Sequence, residues 1–172
     1  KVLKGNIGTS VIKTSAVKEE NLIVQAPAII FDDQEELLEA FKRNELNKDF
    51  IAVVRYQGPK AKGMPELHRL TPVLSILQNN GFKVALVTDG RMSGASGKVP
   101  AAIHLSPEAT DGGLLPKLKD GDLLRLDAVK GELICFNEAE VQARKASEPP
   151  VIVQDGCGRE LFGNFRKLVQ PS

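Results

Sequence analysis

The chain has 172 residues, 42% apolar and 26% charged, with a net charge of +1. That is one globular domain, residues 1–172, with enough bulk to bury a core, and near-neutral charge argues against nucleic acid as the main partner. No apolar run approaches the ~20 residues of a membrane span, and no basic-then-apolar leader is seen, so a cytoplasmic chain without a membrane partner is expected. The two cysteines, Cys135 and Cys157, suit a reducing compartment and do not build a disulfide framework.

Residues 1–31 read as β structure. The runs 10–14 and 22–31 are rich in branched apolar residues, broken by Gly, Asn and Pro27. From Asp32 the pattern turns helical. Asp32 or Asp33 can cap, Glu35 and Glu36 fill the first turn, and Leu37, Leu38 and Phe41 give an apolar stripe. The run 50–56, FIAVVRY, is a strong strand. A polar loop follows, and then a helix opening near Pro65 and ending near Gly81, with Pro65 suiting a first helical turn. The strand 84–87 completes a βαβ crossover, which predicts parallel strands whose following loops share one edge of the sheet.

A short strand at 101–105 comes next, with His104 expected in the core. The runs 123–126 and 132–136 alternate and read as a hairpin. Cys135 reads as a small core residue there. A short helix is expected at 138–146 and a last one at roughly 159–169. The sum is a mixed α/β domain.

The stretch 84–102, VALVTDGRMSGASGKVPAA, carries the functional signal. An apolar strand gives way to glycines, hydroxyls and positive charge, at the end of a strand where open α/β sheets place ligands. It is not a nucleotide P-loop. Met92 stands where that motif needs its first glycine, and Val99 stands where it needs serine or threonine. The pattern GxGxxG fails too, because Met92 occupies its second glycine position. On composition alone, a glycine-rich surface turn is the alternative.

The run LVTDGRMSGASG resembles the second signature of the dihydroxy-acid and phosphogluconate dehydratase family, and the continuation KVPAAIH is similar to its phosphogluconate branch. The runs GNIGTSVIKTSAV, VVRYQGPKAKGMPELHRLTP and GCGRELF resemble the same branch, so the likeness covers essentially the whole chain. It implies a swivelling β/β/α barrel-like domain with a mixed sheet, the C-terminal part of a longer enzyme. Lys1 is not an initiator methionine, which fits that expectation. The iron–sulfur part, with a cluster expected to be 4Fe-4S, would belong to an N-terminal domain absent here. The isolated chain is therefore expected to be inactive, and its partners to be that domain and a second copy in a homodimer.

The resemblance implies elimination of water from 6-phospho-D-gluconate, giving 2-dehydro-3-deoxy-6-phospho-D-gluconate. Ser93 would be the catalytic base at carbon 2, against the alternative of a loop serine bonded to its own backbone. Glu66 would be a ligand of magnesium, a hard cation that takes oxygen ligands, against a plain helix-start carboxylate. Arg91, Gly94, Ser96, Gly97 and Lys98 are the expected substrate-binding residues, since arginine grips carboxylate and phosphate bidentately. Lys60, Lys62, His68 and Arg69 complete a cationic set around the two loops. Asp89 would cap the loop or hold Ser93 and Arg91. Two other readings stay open: a sister dehydratase of dihydroxy acids or other sugar acids, and a non-catalytic module that binds anionic sugars or docks a partner.

Overall fold

The structure is a computed structural model and describes residues 1–92 and 97–151, together with Asn164 and Leu168. Eight strands close into one mixed barrel: β1 (Val2–Lys4), β2 (Thr9–Val11), β3 (Ile23–Phe31), β4 (Phe50–Val54), β5 (Val84–Thr88), β6 (Ala101–Ser106), β7 (Leu123–Asp127) and β8 (Glu132–Cys135). Around the barrel they run β1-β2-β6-β5-β4-β3-β7-β8, with β8 returning to β1. Three helices are α1 (Gln34–Lys42), α2 (Leu70–Asn79) and α3 (Glu138–Ala143). The mixed α/β barrel expected from the sequence is the one observed.

The barrel has two halves. Strands β3 to β6 are parallel, and α1 and α2 pack on their outer face. Every residue of β4 and β5 is therefore buried, which is why FIAVV and VALVT read as unbroken apolar runs. The strand period still operates within them. Ile51, Val53, Ala85 and Val87 join the core inside the barrel, while Phe50, Ala52, Val54, Val84 and Leu86 meet Leu37, Leu70, Leu74 and Leu77 of the helices. The other half is antiparallel except where β8 closes on β1 in parallel, and it leaves Val2, Val11, Ile23 and Leu123 exposed on its outer face.

Strand β3 belongs to both halves. Ile23–Pro27 pair with β7 and Ala28–Phe31 pair with β4, so Pro27, which has no N–H to donate, stands where the ladder changes partner. The Asp33 side chain caps α1 by accepting from the Glu35 N–H at 3.0 Å.

Some expected elements shift. Helix α2 starts at Leu70, not at Pro65, because the backbone of Glu66 and Leu67 is engaged elsewhere. The strand expected over 10–14 is Thr9–Val11, and the helix expected to reach residue 146 ends at Ala143. His104 is half-buried rather than a core residue and takes φ +53° within β6. Of the last expected helix, Asn164 and Leu168 are helical, and the rest lies outside the described residues.

Candidate active site at the carboxyl edge of the parallel strands

Val54 pairs with Thr88 in the parallel ladder, so the segments after β4 and β5 leave the barrel at one edge. Asp89 staples them together. It is 1% exposed; its Oδ1 accepts from the Gln57 N–H at 2.9 Å, and its Oδ2 accepts from the N–H groups of Tyr56 at 3.2 Å and Ala109 at 2.9 Å. Burial pushes the Asp89 carboxyl above its usual range, and the charge of nearby Glu108 adds to this; the three N–H donors oppose both. The next residue has to be glycine, because a Cβ at Gly90 would sit 2.7 Å from Gln57 Cβ and 3.0 Å from Leu67 Cδ1.

This close seam brings Glu66 beside Arg91. The two residues form a parallel β-bridge, and the Leu67 N–H donates to the Arg91 carbonyl at 3.2 Å. Gly63 and Met64 turn the chain into the bridge with φ of +74° and +55°. Arg91 Nε donates to the Met64 carbonyl at 2.9 Å, and Arg91 Nη1 lies 3.5 Å from Glu66 Oε2. The guanidinium is held at one nitrogen and remains half exposed. Two motifs 25 residues apart thus meet backbone to backbone.

The rest of the expected cationic set does not gather here. Lys60 bonds to both oxygens of Asp111 at 2.6 and 2.8 Å, Lys62 pairs with Asp33, and Arg69 pairs with Glu35. His68 is exposed and borders an apolar groove between α1 and α2. Lys98 and Arg91 are set apart. Met92 receives the Thr71 hydroxyl near the start of α2, whereas the Lys98 carbonyl receives Gln78 Nε2 near its end. Seven helical residues separate those two contacts, about 10 Å along the axis. Gly97 faces Ala16 and Lys13, of the segment after β2. Ser93, Gly94 and Ser96 lie outside the described residues, as does Cys157.

Sequence reasoning missed Arg55 and Glu108. Arg55 is buried beneath this edge, with Nε 2.5 Å from Asp32 Oδ1 and Nη1 donating to the carbonyls of Pro116 and Leu118. A charge inside an otherwise apolar run was the available signal. Glu108, also buried, accepts from the N–H groups of Lys60 and Ala61 at 3.2 Å. Nothing local marks it.

Among the described residues no three His, Cys, Asp or Glu side chains gather as a metal site. Glu66 offers one carboxylate at the edge, which fits a single oxygen ligand to a hard cation and no more. The Cys135 thiol does not suit an iron–sulfur cluster. It is buried in β8, donates to Asn137 Oδ1 at 3.2 Å, and is pushed up by burial, whereas a cluster ligand must be a thiolate.

The family model described as "Dihydroxy-acid/6-phosphogluconate dehydratase C-terminal" matches residues 1–172. The chain belongs to this dehydratase family. It is 59% identical over 170 residues to a phosphogluconate dehydratase of Pseudomonas aeruginosa, covering 98% of this chain and 28% of that protein. Against the phosphogluconate dehydratase of Escherichia coli K12 the identity is 53% over 169 residues, covering 97% and 28%. A dihydroxy-acid dehydratase of Wolinella succinogenes is 40% identical over 155 residues, covering 87% and 27%. The chain thus spans 28% of the length of the phosphogluconate dehydratases it matches. No described helix is long and apolar enough to cross a membrane.

Proposed function

We propose that this chain is the C-terminal part of a phosphogluconate dehydratase, a hydro-lyase that removes water from 6-phospho-D-gluconate to give 2-dehydro-3-deoxy-6-phospho-D-gluconate, the dehydration step of the Entner–Doudoroff route. The observation that carries the reading is the Glu66–Arg91 bridge, which sets the GMPE and TDGR motifs side by side at the carboxyl edge. The identities favour the phosphogluconate branch, at 53–59% against 40% for the dihydroxy-acid dehydratase. A cytoplasmic homodimer completed by its own N-terminal, cluster-bearing domain is part of the same proposal.

In this reading Ser93, two residues beyond Arg91, takes the proton from carbon 2 as its alkoxide. The C3–O bond breaks to leave an enol. Carbon 3 then takes the proton that Ser93 carries, restoring the alkoxide, while the 2-hydroxyl gives up its own proton to become the ketone, and that proton leaves with the departing hydroxide as water. Glu66 would hold magnesium, which supplies charge stabilisation for the developing enolate when bound. Arg91 presents a half-exposed planar fork to an anionic end of the substrate. Gly94, Ser96 and Gly97 would hold substrate oxygens. Lys98 stands apart from Arg91, which suits a six-carbon acid carrying an anion at each end. Lys60 and Lys62 are largely covered against their carboxylates and are left out of the clamp, and Arg69 is turned to Glu35 on α1.

The test is Ser93→Ala in the full-length enzyme, with Ser96→Ala as control. Loss of a general base typically costs ~10²–10⁴-fold in turnover. The expected result is that loss for Ser93→Ala, together with loss of exchange of the carbon 2 proton with solvent, and a small effect for Ser96→Ala. Near-normal turnover in a folded, cluster-loaded Ser93→Ala enzyme would refute the role. The wild-type enzyme should prefer 6-phosphogluconate over branched dihydroxy acids; the reverse preference would assign the sister activity.

A further inference from the structure

We propose that Glu108 is a positioning residue: its buried carboxylate acts as a built-in anion that seats the 58–64 loop and so sets Glu66 opposite Arg91. The loop is built like an anion site. It holds two glycines and two lysines, and the N–H groups of Lys62, Gly63 and Met64 converge on the Gly58 carbonyl at 3.0, 3.1 and 3.3 Å. The turn so formed aims the N–H groups of Lys60 and Ala61 outward, in the manner of a backbone nest. Both donate to the Glu108 carboxylate at 3.2 Å.

Residues flanking Glu108 tighten the same contact. The Asp111 N–H donates to the Glu108 carbonyl at 2.8 Å, and the Asp111 carboxylate takes the Lys60 ammonium. The Ala109 N–H reaches Asp89, which also holds Tyr56 and Gln57 at the start of the loop. One short segment, 108–111, thus grips the 56–61 stretch and the end of β5 together.

Gly58 is the matching half. A Cβ there would stand 2.2 Å from Glu108 Oε2 and 2.7 Å from its Cδ. Its φ lies outside the left-handed region, so an alanine is barred by the carboxylate and not by the backbone. Keeping a carboxylate 5% exposed requires compensation from hydrogen bonds. Here that compensation comes from the loop that carries Glu66.

The inference rests on the reading that Glu66 serves the dehydration. Its test uses Glu108→Ala, Glu108→Gln, Gly58→Ala and the Gly58→Ala/Glu108→Ala pair in the full-length enzyme. Trypsin cleavage after Lys60 or Lys62 reads the loop, the thermal midpoint reads the fold, and kcat and KM are taken per folded enzyme. A reacting group displaced by about 1 Å can cost ~10²-fold. Glu108→Ala should therefore lower kcat by about 10- to 100-fold with a smaller change in KM, and speed cleavage at those lysines. Glu108→Gln, which keeps an acceptor oxygen, should recover most of both. Gly58→Ala should reproduce Glu108→Ala, and the double variant should be no worse than the worse single one, because removing the carboxylate removes the 2.2 and 2.7 Å clashes and leaves only the Cβ of residue 108, at 3.0 Å, for a small shift to relieve. Unchanged kcat per folded enzyme in Glu108→Ala, or losses that multiply in the double variant, would overturn the proposal. Glu66→Gln, assayed alongside, separates the two ideas. Full activity there counts against the function reading, while protection of the lysine bonds and the Gly58–Glu108 coupling still judge the clamp.

Discussion

Two loops leave the same edge of the barrel, and they use positive charge in opposite ways. The loop after β4 carries Lys60 and Lys62, and each ammonium meets a carboxylate of another segment, Asp111 or Asp33. The segment after β5 carries Arg91, whose guanidinium is fixed by one bond to the Met64 carbonyl and otherwise stands half open beside Glu66. The lysine loop is a neutralised scaffold, and Arg91 is a presented cation. A cation in a glycine-rich loop is therefore not a substrate contact by virtue of composition. All three cations meet a carboxylate; what decides is how much of the cation stays open, since the Lys60 and Lys62 side chains are mostly covered whereas Arg91 meets Glu66 only at 3.5 Å and is half exposed.

The seam between the loops is the place to break this comparison most forcefully. Asp89→Ala would leave the N–H groups of Tyr56, Gln57 and Ala109 without their acceptor in a buried setting. Each orphaned donor costs ~1–3 kcal/mol, and relief from burying a carboxylate offsets part of it, so a loss of about 2–4 kcal/mol is expected. Thermal unfolding of the chain measures it. A loss under about 1 kcal/mol would show that the seam is held by packing, and the two loops would not be one unit.

A smaller effect sharpens the scaffold side. Burial raises the Asp33 carboxyl, but the Lys62 ammonium and the Glu35 N–H outweigh it and hold the group below its ordinary value of 3.8. A carboxyl depressed in the folded state adds stability that is present above the unfolded value and is lost as pH falls through the folded one. Melts of the chain should therefore show a midpoint that falls below about pH 4, and Asp33→Asn should remove part of that slope while lowering the midpoint only slightly at pH 7. An unchanged acid slope in Asp33→Asn would mean that the Lys62 pair contributes nothing to anchoring its loop.

The sequence was legible where local pattern and burial agree. FIAVV and VALVT are apolar at every position because helices cover one face and the barrel interior takes the other. A cap at Asp32 or Asp33 and the Leu37 and Leu38 face of α1 follow from spacing, and the structure assigns the cap to Asp33. The start of α2 was misread because Pro65 looks like a first-turn proline. Met64 instead takes a positive φ, and the following backbone pairs with Arg91, a partner 25 residues away that no local propensity encodes. The same limit hid Glu108, whose donors lie 48 and 47 residues earlier, and Arg55, whose counter-charge Asp32 sits 23 residues before it. The motif around Ser93 was legible only through its resemblance to a family, since a serine between glycines has no chemistry of its own without neighbours.

The comparison between the loops is tested most directly by removing charge from one loop at a time in the full-length enzyme. Arg91→Ala and the pair Lys60→Ala/Lys62→Ala should be assayed side by side for kcat/KM on 6-phosphogluconate, with folded fraction and cluster content matched. Each tenfold fall corresponds to about 1.4 kcal/mol of lost transition-state stabilisation. The expected result is a loss of at least about tenfold for Arg91→Ala and less than about threefold for the lysine pair. A large loss for the lysines with Arg91→Ala near normal would contradict the account, and would move the substrate clamp from the β5 segment to the loop after β4.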